Sequence, residues 1–78
     1  MPTVLRSGPY RFFFYSLENN EPPHIHVERD DKVAKYWLAS AELASSEGFR
    51  AHELRKLQML IAEHLRLFEE AWHEHFAG

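Results

Sequence analysis

The 78-residue chain has no cysteine, only three glycines and four prolines, and no long apolar run. Without cysteine there is no disulfide framework, no thiolate metal site and no nucleophilic thiol, so packing alone must hold the core, as suits a reducing cytoplasm. No stretch approaches the roughly 18 to 20 apolar residues needed to cross a bilayer, and MPTVLRSGPY lacks the basic-then-apolar layout of a secretory signal. The expectation is a cytoplasmic protein with no membrane partner. Gly-x-Ser-x-Gly, a phosphate loop and a dinucleotide fingerprint are also missing, which leaves the common hydrolase, nucleotide-binding and oxidoreductase classes without their usual residues. A basic excess is lacking too: twelve acids face nine bases for a net charge of −3, a poor basis for affinity built on phosphate contacts.

What charge there is lies unevenly. Residues 1–17 hold Arg6 and Arg11 and no acid, whereas residues 63–78 hold Glu63, Glu69, Glu70 and Glu74 against Arg66, a contrast of +2 with −3. Six histidines add a titratable reserve: full protonation moves the sum from −3 to +3, so solubility is expected to dip slightly below neutral pH.

The order of patterns predicts an α+β domain. Residues 3–6, a Ser7-Gly8-Pro9 turn and the aromatic run Tyr10-Arg11-Phe12-Phe13-Phe14-Tyr15 read as two strands, the second central or covered on both faces because successive phenylalanines point both ways. A polar loop over residues 17–23 ends in Pro22-Pro23, which forces an extended continuation. Residues 24–29 and 33–39 alternate around Asp30-Asp31-Lys32 as a hairpin, and a short fifth strand is expected around Glu42-Leu43-Ala44. From Arg50 the period changes: Leu54, Leu57, Ile61, Leu65, Phe68, Trp72 and Phe76 recur at spacings of 3, 4, 4, 3, 4 and 4, the stripe of a helix that packs on a sheet. Neither glycine nor proline interrupts residues 50–77, which predicts one helix of about seven turns with the glutamates on its outer face. The expected architecture is a single domain over residues 1–78. A three- to five-stranded, mainly antiparallel sheet (residues 1–48) is covered on one face by one long C-terminal helix (residues 49–77).

The candidate chemistry centres on Glu21-Pro22-Pro23-His24-Ile25-His26-Val27. Side chains two apart on a strand share a face, so His24, His26 and Glu28 project together. Three readings stay open. His24 and His26 act as acid and base in phosphodiester cleavage, with Arg11 on the neighbouring strand for a phosphate. Alternatively, His24, His26 and Glu28 hold zinc or another divalent metal, although two imidazoles alone do not fix a coordination sphere. In the third reading the imidazoles cap the Pro-Pro turn through loop carbonyls or Glu21 and Glu28 and shape the hairpin. Tyr10, Tyr15, Tyr36 and Trp37 beside Arg6, Arg11 and Lys35 have the composition of an RNA-stacking platform, but aromatic strand residues in so small a domain are more often core. Trp72 and Phe76, with His73 and His75, lie on the last helical turns. There an apolar end that overhangs its sheet would take a protein partner or a second copy of the chain.

The Asn20-Glu21-Pro22-Pro23-His24-Ile25-His26 segment, set between an aromatic strand and a C-terminal helix that ends near Trp72, resembles the bacterial family of domains of unknown function numbered 4160. The likeness runs from Met1 to about His75. It implies a small stand-alone protein, and the family's frequent pairing with a second small domain of unknown function implies one half of a toxin–antitoxin-like module acting through protein–protein contact. Pro22, Pro23, His24 and His26 carry the family motif, with Trp72 as the matching helix aromatic.

Overall fold

The fold is given by a computed structural model that describes residues 3–15 and 20–76. The N-terminal part folds as an antiparallel meander of five strands, ordered β1-β2-β3-β4-β5, with tight turns at two of its four connections: β1 (Thr3–Ser7), β2 (Tyr10–Phe13), β3 (His24–Arg29), β4 (Lys32–Trp37) and β5 (Leu43–Glu47). Gly8 and Pro9 join β1 to β2, Gly8 at a φ of 57° and Pro9 with its ring-fixed angle. Asp30 does the same for β3 and β4 at a φ of 55°, a conformation that aspartate tolerates better than most side chains. The wider β4–β5 connection is closed by Trp37 N–H donating to the Glu42 carbonyl.

Strand alternation sorts the side chains into two layers. Phe12, Ile25, Val27, Ala34 and Tyr36 form the core layer with Leu57, Ile61, Phe68 and Trp72 of the helices. Phe12 and Phe68 meet ring on ring at 5.4 Å, both fully buried. Truncating either to alanine would cost about 3 to 5 kcal/mol, the usual penalty for emptying an aromatic core site. As expected, β2 lies inside the sheet with both faces covered: Phe13, one position on from Phe12, is 1% exposed on the opposite face. The fifth strand also forms, one residue later than the sequence placed it and running on to Glu47. Residues 17–19 of the expected loop and position 77 of the expected helix lie outside the described residues.

The single long helix is corrected to two, α1 (Ala51–Glu63) and α2 (Leu65–Phe76). His64 separates them at φ −110° and ψ 19°, and its ring Nδ1–H donates to the Leu60 carbonyl at 2.9 Å. That side chain shares an acceptor of the helical ladder. Its own backbone N–H is shared between the Leu60 and Ile61 carbonyls, and the next turn restarts with Phe68 N–H donating to the His64 carbonyl. A side chain inserted into the ladder is a recognised cause of a break where no proline or glycine stands. Periodicity survives it, so the apolar stripe alone could not show it.

The outer-face assignment of the glutamates also fails at one position. Glu53 is buried in the first turn of α1, where its Oε2 accepts from Tyr10 Oη at 2.8 Å and from Arg29 Nη1 at 2.6 Å. The Tyr10 hydrogen bond, with Arg29 adding to it, holds the Glu53 carboxyl below its ordinary range. Burial, followed by the Glu53 carboxylate, pushes the Tyr10 phenol up. The same carboxylate raises Arg29. Together the three tie β2 and β3 to the start of α1. On β4, Tyr36 Oη donates to the Leu54 carbonyl at 2.6 Å, and burial pushes its pKa up to about 12.

Candidate functional site

The helices cover one face of the sheet, and the other carries Arg11, His26, Glu28 and Lys35 among the residues singled out by sequence. Register places Phe13, His26, Lys35 and Ser45 in one row across β2 to β5, and Arg11, Glu28, Val33 and Glu47 in the next. A cavity of about 300 Å³ opens on this face, lined by Tyr15, His26, Val33, Lys35, Ser45 and Glu47 among others.

The two histidines have different surroundings. His24 sits at the end of β3, wholly buried, with ring centroids 5.0 Å from both Trp72 and His26 and 5.8 Å from Trp37. Its Nδ1 lies 2.9 Å from the Pro22 carbonyl; a carbonyl only accepts, so Nδ1 carries the proton and donates. Its Nε2 is 3.8 Å from Glu21 Oε1. This is the turn-capping geometry: the residue after Pro-Pro returns its ring to the proline carbonyl, while Pro23 accepts from the Leu38 N–H across the sheet end. His26 is half-buried on the open face, stacked on Phe13 at 5.5 Å and meeting the edge of Tyr15 at 4.6 Å. Tyr15, 44% exposed, arches beside it.

The remaining candidates are dispersed. Arg11 Nε is paired with Glu28 Oε2 at 3.0 Å, its guanidinium lies 4.2 Å from the Phe13 ring, and Nη1 donates to Thr3 Oγ1. Arg11 and Glu28 are thus engaged with each other. Among the described residues no three His, Asp or Glu side chains gather as a cation cage. The aromatic platform divides: the Tyr10 and Tyr36 rings are buried in the helix-side core, whereas Tyr15 and Trp37 stay on the open side, with Lys35 Nζ 4.7 Å above the Trp37 ring. The overhanging helix end is corrected as well, because Trp72 is only 7% exposed, covered by Phe14, His24 and Phe76. Phe14 accounts for this. It leaves the end of β2 towards the helices and fills the space the overhang was expected to leave open.

Sequence reasoning missed Ser45 and gave Lys35 only a supporting part. Both follow from register, since His26 faces Lys35 and Lys35 faces Ser45, and that pairing depends on the exact length of two connections. Glu53 was legible in principle: Glu53, Leu57 and Ile61, the buried residues of α1, keep a spacing of four that begins one residue before the apolar stripe.

No helix among the described residues is long and apolar enough to cross a membrane. Comparison with curated proteins returns no match, and comparison with solved structures returns none. A family profile, Domain of unknown function (DUF4160), matches residues 10–73, which takes in β2 to β5, α1 and most of α2. The sheet-and-helix core and the Pro-Pro-His turn both fall inside that span, and the chain belongs to the DUF4160 family.

Proposed function

We propose that the chain is one half of a two-protein, toxin–antitoxin-like module of bacterial cytoplasm and works by protein–protein contact through the open face of its sheet. The observation that carries this reading is the make-up of that face. The helices leave it uncovered, yet it presents Tyr15, His26 and Val33 at a cavity, with Trp37 under the Lys35 head on the same side, instead of a uniformly charged surface. Aromatic and imidazole groups that are half in and half out of solvent are the usual material of an interface centre. The family resemblance, with its gene pairing, supports a protein as the occupant. His26 is the member of the histidine pair that faces a partner, and His24 holds the turn beneath it.

The enzyme reading, a histidine-dependent ribonuclease, needs a general acid and a general base with access to one phosphodiester. His24 is buried with one nitrogen committed to Pro22, so such an enzyme would rest on His26 with Lys35 or Tyr15. Affinity capture with the tagged full chain, followed by mass spectrometry and a check for bound RNA, separates the two. A single small protein in near-equal amount is the expected result. RNA without protein, cleaved by the wild type and spared by His26→Ala, would replace the interaction reading with the nuclease.

A further inference from the structure

Within the open face, His26, Lys35 and Ser45 hold facing register positions on three neighbouring strands, and all three residues line the cavity of about 300 Å³. Tyr15 and Val33 supply apolar wall. The Lys35 side chain is 19% exposed, its head lies over the Trp37 ring, and it donates to Glu21 Oε1 at 2.5 Å. A carboxylate is therefore already seated at the edge of the row, carried by the residue just before Pro22-Pro23. We propose that this row is a carboxylate-binding site for an acidic side chain of the partner protein, and that Glu21 is its intramolecular placeholder.

The proposal rests on the docking reading above and adds the chemistry of the contact. Glu21 is 47% exposed, and an ion pair with one solvated partner contributes little net stability, so exchanging one carboxylate for another costs little. The gain lies in the surroundings. A half-buried ammonium under an arriving protein surface loses water, which strengthens its attraction for the incoming charge. Glu47, two residues along β5 from Ser45, also lines the cavity and disfavours a second negative charge, so the site suits a single carboxylate better than phosphate. Because the Glu21–Lys35 contact must open first, the measured affinity is reduced by the fraction of molecules in which it is open.

The test is an amide NMR titration of the full chain with phenylacetate, its uncharged match phenylacetamide, and inorganic phosphate. Phenylacetate is expected to give saturable shifts centred on His26, Lys35 and Ser45. Lys35→Gln should weaken it at least about fivefold, and Glu21→Gln should tighten it by about threefold or more, since removing a competing internal ligand raises the competent fraction. Equal response to phenylacetamide, tighter binding of phosphate, or weaker binding to Glu21→Gln would each overturn the proposal. The titration contains no protein partner, so its failure is separable from that of the docking reading. Phenylacetate binding combined with a captured partner that Lys35→Gln still holds would refute the partner as the source of the carboxylate.

Discussion

Replacing His24 and His26 one at a time gives opposite expectations for two residues of the same type, two positions apart. The His24 ring has no exposed surface, touches Trp72, Trp37 and His26, and donates to the Pro22 carbonyl. His24→Ala removes that volume from a packed site, worth about 2 to 3 kcal/mol, and strips a buried carbonyl of its donor, worth about 1 kcal/mol more. A loss of about 3 kcal/mol is a large share of the roughly 4 to 12 kcal/mol expected for a domain of this length. At about 4 to 8 °C per kcal/mol it lowers Tm by 12 °C or more. His26 is half-buried on the open face, and His26→Ala should cost about 1 kcal/mol or less. His24→Asn, whose amide can restore the bond to Pro22 without the ring, should fall between wild type and His24→Ala. Urea unfolding followed by circular dichroism at constant pH measures all three. If His24→Ala lay within 1 kcal/mol of wild type, or His26→Ala cost as much as His24→Ala, the division into a structural and a surface histidine would be wrong.

Three further outcomes follow from two buried side chains and one glycine with a positive φ. Tyr36, raised to about 12 by burial, favours its neutral form in the folded state. Its contribution is complete below the ordinary tyrosine value near 10 and is lost as pH climbs from there towards 12. Tyr36→Phe should remove that alkaline slope while costing about 1 kcal/mol at neutral pH for the bond to Leu54. Glu53 is lowered, chiefly by the Tyr10 hydroxyl, so its contribution is present above the ordinary carboxyl range and disappears as pH falls through the depressed folded value. Acid unfolding of Glu53→Gln should therefore be less steep below about pH 4.5 than that of wild type. Gly48 sits at a φ of 92°, with Lys32 Cγ 2.8 Å from where a Cβ would stand. Gly48→Ala should thus destabilise by about 1 to 2 kcal/mol in thermal melts, whereas a loss under 0.5 kcal/mol would mean that the backbone and Lys32 relax freely.

Much of this architecture was legible from local patterns. Gly8-Pro9 and Asp30-Asp31 carry their own turn chemistry, Phe12 and Phe13 disclose a strand covered on both faces, and the change to helical period after Arg50 marks the second layer. The break at His64 was not legible, because it arises from one ring bonding to a carbonyl a turn earlier and leaves the apolar spacing intact. The candidate site was readable as a pair of residue types. Its resolution into one buried and one open histidine was not, because that depends on Trp72 and Phe14 arriving from distant segments. The Arg29–Glu53–Tyr10 cluster has the same origin, joining residues on three elements.

The open face as a docking surface is tested most directly by capturing the partner with two surface variants of the tagged chain. Val33→Asp alters the open face where Val33 is 38% exposed, and Met59→Asp alters the outer side of α1 where Met59 is 66% exposed, so neither removes a core contact. Wild type and Met59→Asp should recover the same small protein in near-equal amount, and Val33→Asp should lose it. Loss with Met59→Asp and retention with Val33→Asp would contradict the docking reading and move the interface to the helices.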